Sequence, residues 1–192
     1  VVLHNLLRSF RTQLEFKDAA AFYKYIVPVF FSMLAITSLY STDVILVRHF
    51  FSGNQSGDYA VLSIMGKVIF FAVSPIAIVL FPLVSERHTK GEGYGRILAA
   101  GFGLTFVGGV IITAFYFWQA ELMVMLLPGK NYLHVTPLLG FMGIFIGLYS
   151  LCVLLVNYFL SIHKTFQAYP VLVAALLQIA GIYFFHESLF LV

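Results

Sequence analysis

Apolar residues in this chain come in long unbroken stretches separated by short polar connections. A bilayer-spanning helix needs roughly 20 mostly apolar residues. Five stretches meet that length: 25–50, 58–84, 95–118, 136–162 and 166–185. A sixth apolar segment begins near Leu189. The runs do not alternate with period two, which argues against strands. The pattern predicts an all-α, polytopic transmembrane helix bundle of about five spanning helices, preceded by a linker segment over 1–24. The connections support the division. Ser52 to Gly57 reads as a flexible polar turn, Ser85 to Gly95 as a charged link, and Pro128-Gly129-Lys130-Asn131 as another turn. Thr136-Pro137 reads as an N-cap followed by proline at the first helical position. Glu121 to Leu127 reads as a short interfacial piece.

Composition removes the soluble alternatives. Of 192 residues, 61% are apolar or aromatic and only 10% are charged, against about 25% charged in an ordinary globular domain. Too few polar residues are present to cover a water-facing surface. The net charge of +3 rests on 11 basic residues with no basic run, which is too sparse for a nucleic-acid footprint. The distribution of those charges gives an orientation. Arg8, Arg11, Lys17, Lys24, Arg87, Lys90, Arg96 and Lys164 fall on the side of the N-terminal segment, Arg48 and Lys130 on the other, and Lys67 inside the second span. The positive-inside rule then makes the N-terminal side the cytoplasm. The chain opens Val1-Val2-Leu3 and closes in an apolar segment. It is read as part of a longer membrane protein, and no cleavable signal sequence is visible in it.

Lys67 carries most of the functional argument. It lies nine positions into the second span, roughly 13 Å below the outer end of that span at 1.5 Å per residue. A lysine near the bilayer centre costs on the order of 3 kcal/mol on insertion scales. It should therefore face a watery cavity, an acidic partner or an anionic ligand. Ser63, Lys67, Ser74 and Ser85 fall on one helical face. Asp43, five residues before Arg48, lies at a depth Lys67 can reach, so an Asp43–Lys67 ion pair is expected, either structural or opening during a transport cycle. Gly143, Ser150, Asn157 and Ser161 form a second stripe, in the fourth span, and Gln178 stands in the fifth. Interhelical hydrogen bonding is the favoured reading of these groups, with cavity lining the alternative.

Other features point to packing. Gly143/Gly147, Ala99/Gly103 and Thr105/Gly109 give small-residue spacing suited to close helix approach. Pro75 and Pro82 fall inside the second span, as a static bend or a hinge. Tyr59, Tyr94, Trp118, Tyr132 and Tyr169 sit where aromatic belts form. Tyr40 and Tyr149 are candidates for sugar stacking. The six histidines lie in or near loops without ligand spacing, so neither a metal nor another cofactor is expected. The single Cys152 reads as a small apolar residue within a span. No nucleophile elbow, P-loop or paired acidic motif occurs, which favours a transporter over an enzyme.

Four segments together carry a family resemblance: Thr42-Asp43-Val44-Ile45-Leu46-Val47-Arg48-His49-Phe50-Phe51, Gly57-Asp58-Tyr59-Ala60-Val61, Gly66-Lys67, and Val79-Leu80-Phe81-Pro82-Leu83-Val84-Ser85. This order resembles the start of the C-terminal six-helix lobe of Wzx-like polysaccharide flippases, in the multidrug/oligosaccharidyl-lipid/polysaccharide exporter superfamily. Leu126 to Tyr132 is similar to an outer segment of that lobe. The resemblance implies a second, N-terminal lobe and a central cavity between the two. It implies export of a lipid-linked oligosaccharide across a bacterial inner membrane by alternating access, with a polysaccharide polymerase or glycosyltransferases as partners. It implies a cationic site for the pyrophosphate, with Lys67 the first candidate, Arg48 a second at the outer mouth, and Asp43 tuning Lys67 or coupling ions. Ser63, Ser74, Asn157 and Gln178 complete the expected cavity. A drug or small-metabolite antiporter of the same superfamily, and a non-transporting scaffold for polysaccharide assembly, are the competing readings.

Overall fold

The computed structural model describes residues 16–186. The helices are α1 (Phe16–Phe50), α2 (Gly53–Thr89), α3 (Gly95–Trp118), the short α4 (Ala120–Leu126), α5 (Thr136–Ser161) and α6 (Ala168–Phe184), with a 3₁₀ turn at Lys130–Val135 before α5. No strand occurs among the described residues. Four segments are long and apolar enough to cross a bilayer: α1, α2, α3 and the 3₁₀–α5 unit. At 17 residues α6 is shorter, at the lower edge of the spanning range of about 17–25. The chain is an all-α, multi-pass membrane protein. The segment that begins near Leu189, and residues 1–15 of the linker, lie outside the described residues.

Several boundaries differ from the sequence expectation. Helix α1 already runs from Phe16, so the last third of the expected linker is helical and continuous with the first span. The polar stretch from Ser52 to Gly57 is not an open turn, since α2 starts at Gly53 and only Phe51 and Ser52 separate it from α1. Arg48 explains this. Its Nη1 donates to Ser56 Oγ at 3.0 Å, and Ser56 Oγ donates to Gly53 O at 3.1 Å, so the first turn of α2 is tied to the last turn of α1. Thr136 is the first residue of α5 and not its cap. Its hydroxyl donates back to Leu133 O at 2.9 Å, and Pro137 occupies the first turn, where a missing N–H costs nothing. The short interfacial piece is present as α4.

Helix α5 is the centre of the bundle. Its Leu139 and Ile146 join Leu62, Met65 and Ile69 of α2 and Tyr116 of α3 in one core. Its Val156 and Leu160 join Ala35 of α1 and Val171 and Ala175 of α6 in another, and Cys152 packs at the edge of that second core. A third core joins Leu80 and Val84 of α2 to Ile162, just past the end of α5. The large apolar side chains not used this way point outward, among them Ile64, Phe71, Ile78, Ile111, Leu148 and Leu176. That arrangement is stable only where lipid replaces water.

Small residues set the helix spacing, as van der Waals contact must do where lipid offers no hydrophobic drive. A methyl group at Gly109 of α3 would lie 3.8 Å from the Gly147 backbone of α5, so these two helices approach backbone to backbone. Gly143 faces Thr113 and Tyr116 of α3. The Ala99/Gly103 pair does no such work: nothing lies within 4 Å of a methyl placed at Gly103. Gly101, two residues from each of them and on another face, is the residue pressed against Leu80 of α2.

Candidate functional site around Lys67

With α2 starting at Gly53, Lys67 lies 14 residues into a helix of 37, roughly 21 Å from its start at 1.5 Å per residue. The side chain is half-buried. Its Nζ stands 4.2 Å from the centre of the Tyr40 ring of α1. Tyr40 belongs to a three-ring cluster with Phe70 of α2 and Tyr149 of α5. The ring centres are 5.5 Å apart for Tyr40–Phe70, 5.7 Å for Tyr40–Tyr149 and 5.5 Å for Phe70–Tyr149. Three helices thus meet in the ring cluster on whose Tyr40 the ammonium rests. Tyr149 is anchored by its hydroxyl, which donates to Ile36 O at 3.2 Å. Phe70 is one turn beyond Lys67 on α2, so chain spacing alone brings the charge and the ring onto neighbouring positions.

The expected Asp43–Lys67 ion pair does not form. No oxygen–nitrogen distance within 4 Å joins the two among the described residues, although the Lys67 charge still reaches Asp43 through space. Asp43 is buried and accepts a hydrogen bond from Tyr59 Oη at 2.9 Å. Tyr59, expected from its position to join an aromatic belt, is instead buried on the face of α2 that carries Ser63 one turn later. The physical reason is geometric. A phenol from the first turns of α2 reaches Asp43 directly, while Lys67, two turns deeper, meets Tyr40 first. Asp43 Oδ1 and Ser63 Oγ, both buried, have no hydrogen-bond partner among the described residues.

The cation–π contact also decides how Lys67 is tolerated. Such a contact contributes about 0.5–2 kcal/mol, less than the roughly 3 kcal/mol cost of a lysine at that depth. The ring therefore offsets part of the cost, and the exposed half of the side chain must offset the rest through water or an anion.

The remaining predicted residues separate from this cluster. Arg48 is exposed and ties α1 to α2. Ser74 does not line a cavity with Lys67. Pro75 has no N–H to give to Phe71 O, the carbonyl four residues before it, and Ser74 Oγ donates to that carbonyl at 3.4 Å. Among the described residues, Asn157, Ser150 and Ser161 make no bond across helices. Asn157 Nδ2 donates to Val153 O at 2.9 Å, Ser150 Oγ to Ile146 O at 2.7 Å and Ser161 Oγ to Tyr158 O at 2.6 Å. A carbonyl one turn back is always within reach of such a side chain, and it supplies the bond without a partner helix. Gln178 does bond across helices, from Nε2 to Leu39 O of α1 at 3.3 Å. Gln167, in the connection before α6, escaped the sequence reading. It is buried, and neither polar atom of its side chain has a partner among the described residues.

Cavities among the described residues include three between or beside the helices. One of about 350 Å³ lies between α3 and α5, lined by Thr105, Gly109, Phe117 and Gly147. One of about 740 Å³ lies between α2 and α3. The third, about 330 Å³, lies beside Trp118, Glu121 and Pro137. None of the three is lined by Lys67, Ser63, Ser74, Asn157 or Gln178.

No family model, curated protein or solved structure matches this chain. The functional reading therefore rests on the site itself.

Proposed function

We propose that this chain is a helical lobe of a membrane exporter that moves an anionic, lipid-linked saccharide across the bilayer by alternating access. The observation that carries the reading is the Lys67 ammonium, half-buried mid-helix, stacked on Tyr40 and without a carboxylate in direct contact among the described residues. A charge held in a membrane at such cost marks a transport path more often than a structural joint. An anionic headgroup would complete the electrostatics that the Tyr40 ring leaves incomplete. Tyr40, half-buried on the same cluster, is the ring nearest to a sugar bound beside Lys67, with Tyr149 buried behind it. Asp43, with one carboxylate oxygen unpartnered, is the place for proton or cation coupling. In this reading the protein resides in a bacterial plasma membrane, beside a second lobe and the enzymes that assemble or polymerise the saccharide.

The test is a flipping assay on the full-length protein in vesicles, with a defined lipid-linked sugar. Lys67→Ala should fold and lose at least about tenfold in rate, one buried charge contact being worth roughly 1.4 kcal/mol or more. Lys67→Arg should keep part of the activity. A folded Lys67→Ala protein that flips at the normal rate overturns the proposal. The competitor to exclude is a non-transporting scaffold. A scaffold would support polysaccharide assembly unchanged when Lys67 and Asp43 are replaced by Met and Leu.

A further inference from the structure

The largest of the three cavities, about 740 Å³, has a composition the Lys67 site does not explain. It is a groove between α2 and α3, walled by Pro75, Val79 and Leu83 on one side and Ala100, Gly101 and Leu104 on the other. Val79, Leu83 and Leu104 are exposed along it, so it opens sideways, towards lipid. At one end only, the end with the α2–α3 connection, it carries two cations, Arg87 and Arg96. From Pro75 to Arg87 the groove follows twelve residues of α2, about 18 Å at 1.5 Å per residue. That compares with about 15 Å for the hydrocarbon of one leaflet, half of a roughly 30 Å core.

We infer that this groove holds an anionic diacyl phospholipid of the leaflet at the α2–α3 end, its phosphate between Arg87 and Arg96 and an acyl chain along the apolar walls. Charge complementarity singles out this occupant. Arg96, exposed in the first turn of α3, has no hydrogen bond or ion pair with any described residue. Arg87 is only loosely engaged: Nε lies 3.9 Å from Glu92 Oε2 and Nη1 donates to Gly93 O at 3.3 Å, with about half of each ionic side chain exposed. The other nearby acid, Glu86, is taken by Lys90 at 2.6 Å. A guanidinium pair presents several donors to phosphate oxygens in a fixed geometry. Basic pockets between transmembrane helices on the cytoplasmic side suit anionic lipid headgroups, and the charge distribution along the chain assigns this end to the cytoplasm. No polar side chain other than the two arginines lines the groove. A saccharide headgroup would find no partners deeper in it, which separates this lipid from a transported cargo. Gly101 gives the groove its shape: its missing side chain lets α3 close on Leu80, while Ala100 leaves the neighbouring wall open.

The experiment is native mass spectrometry of the full-length protein in detergent, titrated with phosphatidylglycerol or phosphatidylcholine of matched chains. Wild type should retain phosphatidylglycerol in preference. Arg96→Gln should cut that preference roughly fivefold, and Arg87→Gln/Arg96→Gln roughly 25-fold, from about 1 kcal/mol per cation near a lipid surface. Ala100→Phe, which fills the groove and keeps both charges, should lower retention of both lipids. Lys67→Ala should leave retention of both lipids unchanged, which makes this result independent of the export reading. All four variants are checked for native helix content by circular dichroism. Equal retention of the two lipids by wild type, or an unchanged preference in the folded double variant, overturns the inference.

Discussion

The Lys67 ammonium rests 4.2 Å above the centre of the Tyr40 ring, and the ring face, not a carboxylate, is its nearest compensating group. This makes Tyr40 a discriminating position. Tyr40→Phe keeps the quadrupole that attracts the cation, while Tyr40→Leu keeps only bulk. In the vesicle flipping assay Tyr40→Phe should stay close to wild type, and Tyr40→Leu should fall about twofold to thirtyfold, matching a loss of about 0.5–2 kcal/mol. Equal rates for the two variants would show that the ring serves packing alone.

The Asp43–Tyr59 bond predicts a stability coupling. Tyr59→Phe removes the one hydrogen bond that the buried carboxylate receives from another side chain, leaving both oxygens without a side-chain donor. Loss of a hydrogen bond to a charged group costs about 1.5–3 kcal/mol. Asp43→Asn replaces the charge by a neutral amide and should make Tyr59→Phe much less costly. A double-mutant cycle on unfolding in mixed micelles should give a coupling above about 1 kcal/mol. Additive effects would mean that Tyr59 and Asp43 act separately.

These two pairs show what could be read from the chain. Long apolar runs locate the helices, because bilayer thickness sets a length that composition reveals directly, but α1 begins nine residues and α2 five residues before the expected span, where polar residues continue the helix. Lys67, Asp43, Tyr40 and Tyr149 stand out in the sequence, but the Asp43–Lys67 pairing it suggests is not the one formed, because which ring or phenol reaches which charge depends on the rotation of α1 against α2. Depth along the helix axis does not fix that rotation. The polar stripe of α5 misled for a related reason: Ser150, Asn157 and Ser161 share a face, but each satisfies itself on its own helix. Ser74 was legible only through its neighbour Pro75.

The Glu86–Lys90 pair gives a pH-dependent prediction outside the membrane-spanning part of α2. The hydrogen bond from Lys90 Nζ to Glu86 Oε1, at 2.6 Å, together with the ammonium charge, holds the Glu86 carboxyl below its ordinary value of 4.5. A carboxyl with a lowered folded-state pKa contributes its stability above the unfolded value and loses it as pH falls through the folded value. Carbon-detected NMR titration of Glu86 should show a midpoint below 4.5, and Lys90→Gln should move it upward. An unchanged midpoint in the variant would show that the pair does not persist in solution.

Gly66 and Met142 predict the clearest packing effect. A methyl group built on Gly66 of α2 would lie 2.6 Å from Met142 Cγ and 3.1 Å from Ile146 Cγ1 of α5. Gly66→Ala therefore forces α2 and α5 apart at the central core, at about 1–3 kcal/mol for overpacking. The same change raises helix propensity by about 1 kcal/mol, so the net loss in the single variant is small to moderate. Met142→Ala alone leaves a hole beside the core and should cost about 2–5 kcal/mol. In the double variant the new methyl occupies part of that hole, and only the 3.1 Å approach to Ile146 Cγ1 remains. The double variant should therefore be more stable than Met142→Ala, so that adding the same methyl changes sign with its surroundings. Thermal unfolding of the four proteins in one detergent measures this directly. A Gly66→Ala change that destabilises equally with and without Met142 would mean that the α2–α5 contact is not made at this pair.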